Sequence, residues 1–70
     1  MPMINFKDKQ GNMKWISVMP FRYLKAARLY VRKSLVALRI IKGGEHLFWV
    51  CEPEAADWAV KNGYKEIKEK

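Results

Sequence analysis

The sequence has one cysteine, Cys51, and one histidine, His46. A lone cysteine excludes an internal disulfide, and these two residues cannot assemble the Cys/His set that structural zinc needs. Glycine and proline are scarce, four and three residues in 70, and half of the chain is hydrophobic. That excludes a disordered or collagen-like polymer. Apolar runs are short, far below the ~20 residues that a helix needs to cross a bilayer. Residues 1–17 have no long apolar core of the signal-peptide kind. The expectation is a soluble, cytoplasmic protein. The chain also has no phosphate loop, no dinucleotide fingerprint, no paired-carboxylate site and no Ser/His/Asp set. It is therefore read as non-enzymatic, with no cofactor and no metal.

What is present is a positive charge on a small frame. Seventy residues make one domain with a thin core. Lys and Arg number 14 against 7 acids, a net charge of +7. Residues 1–35 hold eight cations (Lys7, Lys9, Lys14, Arg22, Lys25, Arg28, Arg32, Lys33) and one acid, Asp8, whereas residues 36–70 balance six cations with six acids. The whole excess belongs to the first half. A one-sided basic surface faces a polyanion or an acidic partner.

The chain reads as two similar ββα halves, about 3–34 and 36–64. Trp15-Ile16-Ser17-Val18-Met19-Pro20 aligns with Phe48-Trp49-Val50-Cys51-Glu52-Pro53, each an apolar run closed by proline and followed by a helical pattern. Each run is preceded by a turn and another apolar stretch: Asp8-Lys9-Gln10-Gly11-Asn12 in the first half, Lys42-Gly43-Gly44-Glu45 in the second. The fold class expected is α+β in ββαββα order, one antiparallel four-stranded sheet with two helices on one face. Residues 65–70 are expected to fray.

The first helix is expected over 20–34, opening at Pro20, which lacks the N–H that a first helical position leaves unpaired. At about 100° per residue, Tyr23, Leu24, Ala26, Ala27, Tyr30 and Val31 fall on one side, and Arg22, Lys25, Arg28, Arg32 and Lys33 on the other. Like charges three and four apart repel by a few tenths of a kcal/mol per pair. A purely structural helix more often mixes signs, so the missing acids are informative. The second helix is expected from Pro53 to a stop at Gly63, with Glu54 and Asp57 at the positive end of its dipole and Tyr64 folding back on the last turn.

Both surfaces of the expected sheet are apolar, and two helices on one face leave the other uncovered. That predicts a homodimer or, failing that, an aromatic platform. Trp15, Trp49 and Trp58 are assigned to the core, with Trp15 or Phe6 as the residue to stack on a base if a face is open. Cys51 is read as a small buried side chain.

Two resemblances arise in the second half. Lys42-Gly43-Gly44-Glu45-His46-Leu47-Phe48 resembles the Gly-X-His hairpin of small messenger-RNA-cleaving toxins of the HicA type, which implies a histidine acting as general base on a ribose hydroxyl. Those toxins carry a helix before a three-stranded sheet and a Gly-Ser pair before the histidine. This chain has an extra N-terminal hairpin and lacks a third strand after the histidine, so it is not assigned to them. The basic helix followed by a hairpin bearing Arg39 and Lys42 resembles winged-helix regulators such as phage excisionases. Those need two helices before the wing, and only one fits between Pro20 and Val36.

The leading expectation is a nucleic-acid-binding protein that contacts phosphates of DNA or RNA through Arg22, Lys25, Arg28, Arg32 and Lys33, with Arg39 and Lys42 as additional contacts. The second is a protein–protein module, an inhibitor or adaptor of the phage or mobile-element type, that meets an acidic partner. The third is a ribonuclease using His46.

Overall fold

A computed structural model describes residues 3–43 and 47–68. His46, Gly44 and Glu45 lie outside the described residues, and with them the histidine of the third reading and the tip of the second hairpin. The described elements run β1 (Met3–Lys7), β2 (Met13–Ser17), β3 (Met19–Phe21), α1 (Leu24–Lys33), β4 (Arg39–Gly43), β5 (Leu47–Cys51), α2 (Pro53–Lys61) and β6 (Lys65–Ile67). The protein is a small α+β domain with antiparallel sheets and two helices. No helix among the described residues is long and apolar enough to cross a membrane.

The turn chemistry acts where the sequence places it. Asp8 Oδ1 accepts the Gln10 and Asn12 amides at 2.9 and 2.8 Å, and Gly11 takes φ +88°, closing the β1–β2 hairpin. Gly63 takes φ +95°, and the Tyr64 and Gly63 amides donate back to the Ala59 and Val60 carbonyls, a Schellman stop for α2.

Several expectations are corrected. The apolar run through Trp15–Met19 is not one strand. It breaks at Val18, so β1 and β2 form a two-stranded sheet of their own, and β3, β5, β4 and β6 form a second sheet in that order. Pro20 lies in β3 opposite Trp49 rather than opening a helix, and α1 begins at Leu24. β3 is an edge strand, where a residue without an N–H is tolerated. Pro53 does open its helix. The two prolines therefore do different work, and the repeat that the structure shows is strand–helix–strand twice, β3-α1-β4 and β5-α2-β6. The tail does not fray up to Ile67: residues 65–67 pair with β4, Ile67 opposite Ile40.

The helices lie on opposite faces of the four-stranded sheet, not on one. Ile40 and Val50 pack against Ala27 of α1, whereas Ile41 and Cys51 pack against Ala56 and Ala59 of α2. Strand order explains this. Each crossover skips one strand in the same direction across the sheet, but β3 and β5 run antiparallel, so two crossovers of one hand must pass on opposite sides. The β1–β2 hairpin shares the α2 side. Phe6 stands edge-on to Trp49 at 4.6 Å and to Tyr64 at 5.3 Å, and the Tyr64 hydroxyl donates to the Lys7 carbonyl at 3.0 Å. Among the described residues, both faces of the four-stranded sheet are thus covered. Phe6 is core, while Trp15 is 61% exposed on the outer side of the hairpin. Burial pushes the Cys51 thiol up to about 11, which leaves it neutral and unreactive.

Arg39 fastens one side of the molecule. Its guanidinium donates to both Glu66 carboxylate oxygens at 2.8 and 2.6 Å, to Asp57 at 2.7 Å and to the Pro53 carbonyl at 3.3 Å, joining β4, β6 and α2. These bonds hold the Glu66 carboxyl below its ordinary range. A depressed carboxyl contributes stability that is complete above the unfolded value and lost as pH falls through the folded one. Glu66→Gln should therefore cost about 1–2 kcal/mol at pH 7, with the gap to wild type shrinking at pH 3. Urea unfolding at the two pH values measures it; an equal gap at both would contradict the assignment.

Candidate nucleic-acid interface

α1 is held by packing, not by its ends. Its N-cap is Tyr23 with no side-chain cap, and no acid stands in the first turn. Lys25 there opposes the helix dipole, whereas Arg32 and Lys33 in the last turn complement it. Leu24, Ala27 and Val31 face the sheet. The buried stripe is narrower than the sequence pattern implies: Ala26 is exposed, Tyr23 is 72% exposed, and Tyr30 sits at the margin with its ring 5.4 Å from that of Phe21.

Counting from Leu24 at about 100° per residue, Arg28, Arg32 and Lys25 fall at about 40°, 80° and 100°, one compact flank, with Leu29 at about 140° and Lys33 at about 180°. Tyr30 marks the opposite flank as the one over β3. The cationic flank therefore looks toward β4 and β6. Arg28 is half-buried, and its Nε has no hydrogen-bond acceptor among the described residues. Lys25, Arg32 and Lys33 are exposed. Arg22 is exposed in the link between β3 and α1, just ahead of the helix.

The two residues expected from the second hairpin separate. Lys42 alternates with Ile40, so it projects on the α1 side of β4, exposed, with its Nζ 5.7 Å from the Phe48 ring centre. Lys65 is its register partner on β6 and shares that side. Arg39 is one position out of phase with Ile40 and projects on the α2 side, where Glu66 and Asp57 engage it. Arg39 therefore leaves the interface set and Lys65 joins it. Only the β4–β6 pairing reveals Lys65, and no sequence signal marked it.

The imbalance between chain halves becomes an imbalance between sheet faces. The α1 side carries Lys25, Arg28, Arg32, Lys33, Lys42 and Lys65. Those acids of the second half that lie among the described residues gather on the other: Glu54 and Asp57 on α2, Glu52 just before it, and Glu66 drawn to Arg39. Among the described residues, α1 has no acid at all. An open groove of about 430 Å³ lies along the cationic flank, lined by Leu24, Lys25, Arg28, Leu29 and Arg32. Among the described residues no cluster of His, Cys, Asp and Glu can hold a metal ion.

No protein-family model matches this sequence, nor does any curated protein or solved structure.

Proposed function

We propose that this protein binds nucleic acid through the α1 side of its sheet, without catalysing a reaction. Lys25, Arg28 and Arg32 meet the phosphates first. Arg22 and Lys33 extend the contact along the helix, and Lys42 and Lys65 extend it across the sheet. The observation that supports this reading is the charge of α1 and its side of the sheet: among the described residues six cations gather there, and α1 itself carries no acid. Such a surface costs self-repulsion in the free protein and recovers it on a polyanion, where condensed counterions are released. With one cysteine the chain has no internal disulfide, which fits a reducing compartment, and we place the protein in the cytoplasm.

Anisotropy titration of a labelled oligonucleotide at two salt concentrations tests the proposal. Seven phosphate contacts predict a log K against log salt slope of roughly −5 to −6, so a fourfold rise in salt should weaken binding by about three orders of magnitude. A slope near zero, or no binding at low salt, would overturn it.

A second reading has one observation in its favour. Leu35 is 103% and Val36 65% exposed directly after α1, an apolar pair beside the basic helix that an acidic protein partner would cover. Salt-sensitive binding of a purified acidic protein, with none of an oligonucleotide, would select it.

A further inference from the structure

The two outer edges of the β1–β2 hairpin are not alike. On β1, the Tyr64 hydroxyl accepts the Lys7 amide at 3.2 Å and donates to the Lys7 carbonyl at 3.0 Å. The main-chain groups of Lys7 therefore point away from β2, which makes Lys7 and Met13 a non-hydrogen-bonded pair. Such pairs alternate with hydrogen-bonded ones along an antiparallel ladder, so Asn5 and Trp15 are another. The N–H and C=O groups of Met13 and Trp15 thus point outward from β2, and among the described residues they have no partner. Tyr64 closes the β1 edge at Lys7, and the β2 edge stays open.

An open cleft of about 290 Å³ borders that edge. Four consecutive residues line it, Lys14, Trp15, Ile16 and Ser17. Consecutive strand residues point to opposite faces, so the cleft runs along the edge of β2 and not over one face. Glu52 and Glu54, at the start of α2, line it too. Both are exposed, and neither makes an ion pair among the described residues. Lys14 reaches to α2, its Nζ 5.2 Å from the Trp58 ring centre. Trp15 and Met13 leave more than half of their surface bare beside the open edge.

We propose that the β2 edge takes an extended basic peptide of a partner protein as an added strand, with lysine or arginine toward Glu52 and Glu54 and a β-branched side chain beside Trp15. Pairing with the Met13 and Trp15 backbone supplies attachment, and alternate side chains supply selection. The positive net charge of the chain does not forbid this. Six cations lie across the sheet on the α1 side, and at physiological salt exposed charges more than ~8 Å apart are largely screened. The site is separate from the nucleic-acid face and does not depend on it.

The probe is an octapeptide alternating lysine and valine, titrated into the nitrogen-15-labelled full chain at about 0.15 M salt. Its counterpart with glutamate for lysine is the control. The basic peptide should slow hydrogen exchange at the Met13 and Trp15 amides at least about tenfold. Lys14 and Ile16, whose amides already pair with β1, should not change. The acidic peptide, wherever else it binds, should need at least about ten times the concentration to protect the same amides. Methylating the backbone nitrogens of the basic peptide removes its donors and should weaken binding about tenfold, without any change to the protein. Glu52→Gln with Glu54→Gln should weaken it about fivefold. Equal response to the two peptides, binding without protection of Met13 and Trp15, or no binding at millimolar peptide would overturn the proposal. So would protection of those amides in the protein alone, rising with its concentration alongside a doubled mass in light scattering, because the occupant is then a second copy.

Discussion

Exchanging Arg28 and Arg32 together for glutamate should weaken nucleic-acid binding by about two orders of magnitude at moderate salt. Each reversal removes an attraction and installs a repulsion, each about 1 kcal/mol for a pair 4 Å apart in water. Two reversals sum to about 4 kcal/mol before screening, and a Debye length near 10 Å trims that toward about 2.7 kcal/mol, or roughly a hundredfold. The log K against log salt slope should flatten by about 2, since two phosphate contacts are gone. The fold should survive, because the residues that pin α1 to the sheet are Leu24, Ala27 and Val31. Circular dichroism of the variant checks this. Lys61→Glu, one charge reversal in the last turn of α2 on the far side of the sheet, should change affinity less than threefold. If both variants bind like the wild type, the α1 flank is not the interface. If both lose affinity equally, attraction follows total charge and not position.

The largest effect on stability is expected at Gly43. Its backbone is not left-handed, since the positive-φ glycines among the described residues are Gly11 and Gly63. Glycine is required here for space. A Cβ at position 43 would fall onto the Cε3, Cζ3 and Cη2 atoms of the Trp49 indole. That indole cannot swing aside freely, because Phe6 stands edge-on to it at 4.6 Å and Phe6 is itself 2% exposed. Overpacking of this kind costs typically 1–3 kcal/mol, and with so little room to yield we expect about 3 kcal/mol for Gly43→Ala. A domain of this length holds roughly 4–10 kcal/mol in total. The midpoint of thermal unfolding should drop by about 15 °C. Trp49→Leu vacates the space, so Gly43→Ala should cost far less in that background. A double-mutant cycle would show the coupling, and strict additivity would mean that the indole is not what rejects the methyl group.

How much of this was legible in the sequence depended on whether a signal was local. The Asp8–Asn12 turn, the Gly63 stop and Pro53 at the start of α2 are decided by neighbours along the chain, and they stand where the pattern put them. Pro20 misled because proline suits a first helical position and an edge strand for the same reason, the missing N–H. Only the pairing of Met19–Phe21 with β5 separates the two cases. Arg39 and Lys42 looked alike as hairpin cations. Strand alternation sends one to Glu66 and the other to solvent, and that depends on a register that pairing far along the chain decides. Residues 65–67 read as a loose charged tail because Glu66 gains its value only from Arg39, 27 positions away. The sidedness of the helices follows from strand order, which periodicity does not encode. The basic helix was legible because an absence of acids is visible in any fold; the exposure of Leu29 on it was not, because burial depends on how the whole chain packs.

The four-stranded sheet ends on both sides in strands of three residues, β3 and β6. Proline at the centre of β3 offers a neighbour no amide there, and Lys65 and Glu66 put charge on the opposite border. Short, charged or proline-bearing borders do not template growth by an incoming chain. Copies held close together would bring such borders side by side, and these ones give no route to cross-β fibrils.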